Sequence, residues 1–344
     1  MGFLTRVFAA ALVLRLSLCL SGGAPVPPAA AGAARVERRL ASMGTVLALS
    51  VAGADRAAAL AASETAVREI GRVEDRLTTW RPGGPLDRLN GAKPEEAVAL
   101  GPEVAALLGA VFDWSERTAG AFDPTVLPLV RAWDLRGGGR VPDAETLGRA
   151  LAATGRKQFR LDAATGQARR LSAAAGIDEG AWGKGYALDS AVSALRRAGV
   201  REAFLDLGGQ VSAIGRAAVA VADPRERGRT VLSLVIADES VSTSGNSERG
   251  KVVEGRRIGH LLDPRTGYPA PDFGSATVVA PSGLTADILS TAFFVLGPEA
   301  GLDLSESLRR QGFENRALFL VVEGGRVKAI ASPGFQFHLM ENQS

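Results

Sequence analysis

The chain has 344 residues, 46% of them apolar and 22% charged, proportions of an ordinary globular protein long enough to build a sizeable core. Forty Lys and Arg against 37 Asp and Glu leave a formal charge of +3. Arg6 and Arg15 supply two of these charges inside an acid-free start, so the rest is near neutral and carries no basic footprint for nucleic acid.

The N-terminus reads as an export signal. Arg6 precedes an apolar run from Val7 to Leu14 and a second from Leu16 to Leu20, and then come small residues and prolines, "SGGAPVPPAAAGAA". That order marks a signal peptide, and the run is too short, and interrupted by Arg15, for a membrane span. Cys19 is the single cysteine. It has the position of a lipid-attachment cysteine, with a large Leu18 where a small residue is expected. It is therefore either a lipid anchor or a hydrophobe in a discarded peptide. Without further cysteines the mature chain has no disulfide and no thiolate metal site. Residues 1–34 are thus read as signal and Pro/Ala-rich tether, and 35–344 as one catalytic domain.

From Ser42 onward strands and helices alternate. "TVLALSV" (45–51) has the period of a strand. Residues 56–77 have helical spacing. Pro102 and Gly120 bracket a second helix. A Gly/Pro-rich loop is expected over 120–142. A hairpin is expected over 159–171, turning near Thr165-Gly166. A helix follows at 185–198, and then two strands in 202–215 about a Gly-Gly break. Further strands are expected near 217–222, 230–237 and 275–280. "LTADILSTAFFVLG" (284–297) is a helix with Leu284, Ile288, Leu289, Ala292, Phe293 and Leu296 as its buried stripe. A last helix near 299–310 precedes a hairpin over 317–330. The fold class is α+β, with mixed, largely antiparallel sheets packed against helices.

Several stretches carry chemistry. Asp287 and Thr291 are four apart and share one helix face beside an apolar run. Carboxylate plus hydroxyl suits a hard cation such as Mg²⁺; read locally, an acid favoured by the helix dipole is the simpler account. "GIDEGAWGKGYALD" (176–189) is Gly-rich, opens a helix and carries Lys184. Such a stretch can hold phosphate, or it can simply be a tight helix entry. It is neither a P-loop nor a dinucleotide fingerprint. Asp123-Pro124 is a turn signal. "VSTSGNSER" (241–249) lacks a nucleophile elbow and reads as a polar turn. His260 can serve as a general base near neutral pH, or as a structural hydrogen-bonder. His338, the second histidine, is distant in sequence, and the two alone make no zinc site.

Order and spacing add what single motifs lack. "MGT" (43–45), "TTWRPGGPLDRLN" (78–90), "AFDPT" (121–125), "IDEGAWGKGYALD" (177–189), "LDLGGQVSAIG" (205–215), "STSGNSER" (242–249), "HLLDPRTGYP" (260–269) and "TVVAPSGLTADILSTAFFVLG" (277–297) occur in this sequence. In that order they resemble the ApbE-type FAD:protein FMN transferases over essentially all of 42–335.

The resemblance implies an enzyme that binds FAD with Mg²⁺, forms a phosphoester between FMN and a Thr or Ser hydroxyl of a partner flavoprotein, and releases AMP outside the cytoplasm. Carried over by motif, Asp287, Thr291 and the main-chain carbonyl of Ala181 are the Mg²⁺ ligands. Met43, Trp80, Ala121, Phe122, Asp123, Asp178 and Lys184 line the FAD site, and His260 is the base. Trp80 stands where the family usually has Tyr, "GAWGKG" replaces "GGIAKG", and Asn246 replaces a frequent Asp. Two other readings share some of these features. An FAD pyrophosphatase would use the same metal site with water as acceptor. A non-catalytic flavin-binding protein would need neither the base nor the metal pair.

Overall fold

The computed structural model describes residues 34–246, 250–253 and 255–339. The signal-like segment and Cys19 lie outside the described residues.

The elements, in chain order, are β1 (Ala34–Ser42), β2 (Thr45–Gly53), α1 (Arg56–Leu77), α2 (Pro85–Gly91), β3 (Val98–Ala99), α3 (Pro102–Arg117), α4 (Leu127–Ala132), α5 (Ala144–Ala152), β4 (Phe159–Asp162), β5 (Gln167–Arg170) and α6 (Gly183–Arg197). The second half holds β6 (Ala203–Leu207), β7 (Gln210–Ile214), β8 (Arg216–Ala222), β9 (Thr230–Ala237), β10 (Ser240–Gly245), β11 (Lys251–Val253), β12 (Arg256–Ile258), β13 (Gly274–Ala280), α7 (Gly283–Leu296), α8 (Pro298–Arg310), β14 (Arg316–Glu323), β15 (Arg326–Ala331) and β16 (His338–Leu339).

One eight-stranded sheet organises the molecule, in the order β1-β2-β6-β7-β10-β13-β14-β15, and every neighbouring pair in it is antiparallel. Helices α1, α6 and α7 cover one face. There Leu47, Leu49, Leu205, Ala276, Val278 and Phe319 join Ile70, Leu188 and Phe293 in the main core. Strands β8 and β9 cover the other face, where Val211, Val241, Val279, Leu318 and Leu320 meet Val219, Leu232 and Leu234. Strands β13 and β14 therefore contribute apolar side chains to both layers, which is why they read as nearly continuous apolar runs. The α+β architecture with antiparallel sheets expected from the sequence is the one observed.

Three local expectations change. The loop expected over 120–142 contains α4, whose Leu129 and Ala132 pack with Trp133, with Leu147 of α5, and with Ile258 and Leu262 in a separate apolar cluster. The polar turn expected at 241–249 begins as β10, whose Ser240, Val241 and Ser242 are buried between β7 and β13. Helix α7 buries more than one stripe: Ala286, Asp287, Ser290 and Phe294 join Ile288, Leu289, Ala292 and Phe293 in the interior, while Leu284 and Leu296 of the expected stripe are only partly buried, because the helix is wedged between the sheet, α6 and α8. No helix of the described residues is long and apolar enough to cross a membrane.

Helices α1, α3 and α6 are tied together at Glu103, which accepts hydrogen bonds from Arg72 at 2.8 and 2.9 Å, from Arg76, and from the Tyr186 hydroxyl at 3.0 Å. Burial alone would push this carboxyl up. The hydrogen bonds from Arg72 and Tyr186 and the charges of Arg72 and Arg76 outweigh it and hold it below the usual carboxylate range. A depressed folded value means that the network stabilises the fold above the ordinary carboxylate range and is lost as pH falls through the depressed value. Glu103→Gln is expected to flatten the acid limb of the stability–pH curve between those two points, with little change in slope elsewhere. Equilibrium denaturation at a series of acidic pH values checks this.

Candidate active site

The site is built where the N-terminal turns of α6 and α7 converge. A Cβ on Gly185 would lie 2.3 Å from the Gly283 carbonyl oxygen, and one on Gly283 would lie 2.7 Å from that of Gly185. The two backbones touch, and only glycine permits it. Asp189, one turn further along α6, accepts from the Gly283 and Leu284 amides at 2.6 and 2.9 Å and from the Ser282 hydroxyl at 2.7 Å. It thus satisfies the exposed amides that open α7. In return Asp287 of α7 accepts from the Gly185 amide at 3.0 Å.

Asp287 is only 4% exposed. Lys184 Nζ stands 3.7 Å from its Oδ1, longer than a direct hydrogen bond, and Ser242 Oγ lies 3.5 Å from the same oxygen. Burial pushes this carboxyl up, against the opposing pull of Lys184 and the Gly185 amide. Asp189 is pushed up by burial as well, and the Asp287 charge adds to the push. Thr291, one turn on, has its hydroxyl 3.4 Å from Ser244. Ser290 bridges Ser242 at 3.1 Å and Ser244 at 2.9 Å. These β10 serines thus link Asp287 to Thr291, which explains why a segment read as a polar turn is interior. Among the described residues no three His, Cys, Asp or Glu side chains converge on one point. The set carried over from the resemblance has a single carboxylate, with Thr291 and the Ala181 carbonyl. These are hard oxygens beside a buried negative charge with one ammonium group nearby, and they suit a hard divalent cation.

Asp178 lies at the entry to α6. Its Oδ2 accepts from Arg136 Nη2 at 2.5 Å and its Oδ1 from the Gly180 amide at 2.8 Å. Its amide donates to the Pro124 carbonyl at 2.8 Å, which brings the Asp123-Pro124 turn beside it. Asp123 accepts from the Thr125 amide and hydroxyl at 2.8 and 2.6 Å; burial nevertheless pushes its carboxyl up. Ala121 and Phe122 are 0% and 1% exposed core residues, so contact with a ligand there falls to their main chain. Met43 sits in a two-residue hairpin turn with Gly44, both at positive φ (49° and 69°), and its amide donates to Glu74 at 3.0 Å. Its Cε lies 3.7 Å from where a Gly183 Cβ would be. Trp80 is 59% exposed with the Arg136 guanidinium 4.4 Å from its ring centre.

His260 enters from a different part of the chain. The turn after it is closed by Gly267 N to Asp263 O and Asp263 N to Tyr268 O, both 2.8 Å. Arg265 grips both Asp263 oxygens at 2.8 Å. Trp133 Nε1 donates to the Gly267 carbonyl at 2.8 Å, fastening the turn to the α4–α5 cluster. The preceding Gly259 packs so closely on Asn246 that a Cβ would sit 2.5 Å from its Nδ2.

The structure brings the expected Lys184 and Asp287 together, with Thr291 one turn on, and gathers Trp80 and Asp178 around Arg136. Sequence reasoning did not single out Asp189, Glu179 or Arg136. Asp189 lay inside a quoted block, and nothing local marked it as a cap for a helix 94 residues away. Glu179 accepts from the Thr79 amide at 3.0 Å and also from its hydroxyl, and Arg136 lay in an expected loop. Trp182 is the bulky residue of the "GAWGKG" that replaces "GGIAKG". Its ring is fully buried and donates to the Asp178 carbonyl at 2.8 Å, so it is turned into the core.

The chain belongs to the ApbE family, whose pattern matches residues 43–314. An FAD:protein FMN transferase of Klebsiella pneumoniae is 29% identical over 354 residues, covering 99% of this chain and 98% of its own length. The crystal structure of the ApbE protein from Thermotoga maritima is similar with a TM-score of 0.78 at 30% identity, over 87% of this chain and 97% of that one. The flavin transferase ApbE from Vibrio cholerae has a TM-score of 0.74 at 25% identity, over 88% and 98%.

Gly185→Ala is expected to destabilise the fold by about 3 kcal/mol or more, because backbone must move. Gly71→Ala in α1, where a Cβ meets nothing within 4 Å, is expected to stabilise it by about 0.5–1 kcal/mol. Chemical denaturation of both variants reads the contrast.

Proposed function

We propose that the chain is an Mg²⁺-dependent FAD:protein FMN transferase that joins FMN through a phosphoester to a Thr or Ser hydroxyl of a partner flavoprotein and releases AMP. The observation that carries the reading is the buried Asp287 carboxylate, held by the Gly185 amide with Thr291 one turn on and Lys184 beside it. It stands in a chain whose curated relatives bear that activity's name. In this reading Asp287, Thr291 and the Ala181 carbonyl hold Mg²⁺. Bound there, the ion supplies charge neutralisation on the pyrophosphate.

The chain's own groups do the rest. Lys184 offers a positive charge to the phosphates at the opening of α6. Trp80 offers a flat face to a ring of FAD. Asp123, Asp178 and the main chain of Ala121, Phe122 and Met43 complete the cofactor site. His260 takes the proton from the acceptor hydroxyl, whose oxygen forms a new bond to the FMN phosphorus as the bridging bond to AMP breaks. A rigid Asp263–Gly267 turn suits that role, since positioning supplies much of such catalysis. The order of charged, apolar and small residues in 1–34 supports export, with a membrane tether if Cys19 is lipidated.

The first test mixes the purified chain with FAD, Mg²⁺ and a flavoprotein domain bearing an acceptor threonine. An FMN mass increment on that domain, lost with EDTA, is expected. Free FMN and AMP without the increment would point to hydrolysis. Intact bound FAD would point to a binding protein. Asp287→Ala is expected to lower Mg²⁺-dependent transfer by at least about a hundredfold, and unchanged turnover would remove the metal assignment. His260→Ala is expected to keep FAD affinity within about threefold while transfer falls by roughly 10²–10⁴. Calorimetric FAD titration beside the transfer assay separates the two effects.

A further inference from the structure

The contacts that surround the exposed Trp80 include several from a residue that no motif singled out. Arg136 Nη2 donates to Asp178 Oδ2 at 2.5 Å and to Thr79 Oγ1 at 2.6 Å, and Nη1 donates to the Thr79 carbonyl at 2.8 Å. The same guanidinium lies over the Trp80 ring, 4.4 Å from its centre. One planar cation therefore binds the backbone just before Trp80, the Trp80 ring itself, and a carboxylate at the entry to α6. Its side chain is 23% exposed against 59% for the Trp80 residue, so the clamp is sheltered and the indole is not.

The segment that carries Arg136 is itself held. Leu135 N donates to Val130 O at 3.0 Å, and the Gly137 and Gly139 amides donate to the Asp134 carbonyl at 3.1 and 3.0 Å. Trp133, three residues before Arg136, is fastened to the turn that follows His260. Thr79 is anchored a second time by Glu179. An exposed indole ordinarily samples several rotamers, and ordering it costs binding free energy when a ligand stacks on it. A guanidinium already seated on one face removes that freedom and leaves the other face open.

Resting on the proposed flavin-transfer function, we infer that Arg136 is a positioning residue for FAD: it presets Trp80 so that one planar heteroaromatic ring of the dinucleotide stacks on the indole face opposite the guanidinium. The ring is the isoalloxazine or the adenine, and the chemistry of stacking is shared. Arg136 acts through Trp80 and does not itself contact the reacting phosphate. Lysine cannot replace it, because an ammonium group lacks the planar fork that reaches Thr79, Asp178 and the ring together.

The test is a double-mutant cycle on FAD affinity, measured by calorimetry with full-length mature protein, together with steady-state transfer. Arg136→Lys keeps a cation beside Asp178 and serves as the folding-safe variant; Arg136→Ala and Trp80→Ala complete the set. In Arg136→Lys and Arg136→Ala the FAD Kd and KM are expected to rise about tenfold, with turnover at saturating FAD within about twofold. In the double variants the loss is expected to equal that of Trp80→Ala alone, because the indole through which Arg136 acts on FAD is gone. Additive losses, or an Arg136→Lys variant that binds FAD like wild type, would overturn the inference. Titrations with riboflavin and with AMP tell the rings apart, since only the ligand that stacks on Trp80 should lose affinity in Arg136→Lys; equal affinity of both ligands in wild type and variant would also overturn it. Wild-type protein that does not bind FAD would overturn this inference together with the function it rests on, whereas wild-type binding with additive losses removes the Arg136 role alone.

Discussion

Helices α6 and α7 meet backbone to backbone at Gly185 and Gly283, and most of the site's geometry descends from that contact. With no Cβ between them, each helix supplies polar partners to the opening of the other. Asp189 closes the amides of α7, and Asp287 accepts the Gly185 amide. Lys184 and Asp287 are neighbours because this approach is so close. Thr291 then follows one turn along α7, with its hydroxyl 3.4 Å from Ser244 of β10.

The electrostatic consequence is a cost. Asp123, Glu179, Asp189 and Asp287 are all pushed up by burial, a sign that desolvation outweighs the hydrogen bonds each of them accepts. Carboxylates are seldom kept in such places for stability alone. Among the described residues, Lys184 stands near Asp287, and Arg136 pairs with Asp178, the neighbour of Glu179. Hard oxygen ligands beside a buried carboxylate suit a divalent ion and a ligand that carries that ion with it.

Much of the fold was legible because its periods are strong. The length of α1, the hairpin of β6 and β7 about Gly208-Gly209, and the apolar run of α7 all appear in the sequence with little distortion. What failed to show was polar or short. The serines of β10 look like a turn until β7 and β13 enclose them and α7 supplies their partners. Helix α4 has 6 residues, too few for a periodic signal, and its burial depends on Leu147, Ile258 and Leu262 arriving from elsewhere. Arg136 carries no local mark at all, since its partners are 57 and 42 residues away.

The sequence by itself determined the longer elements and the largely antiparallel α+β class, and it nominated the candidate site residues, because these depend on period, turn residues and ordered motifs within short windows. Only the tertiary structure decided which carboxylate is buried, which cation faces it, that Ala121 and Phe122 are core residues, and that Trp182 turns inward. Those outcomes depend on contacts between segments far apart in the chain. Desolvation and close packing, which set the chemistry of each group, exist only once those segments have met.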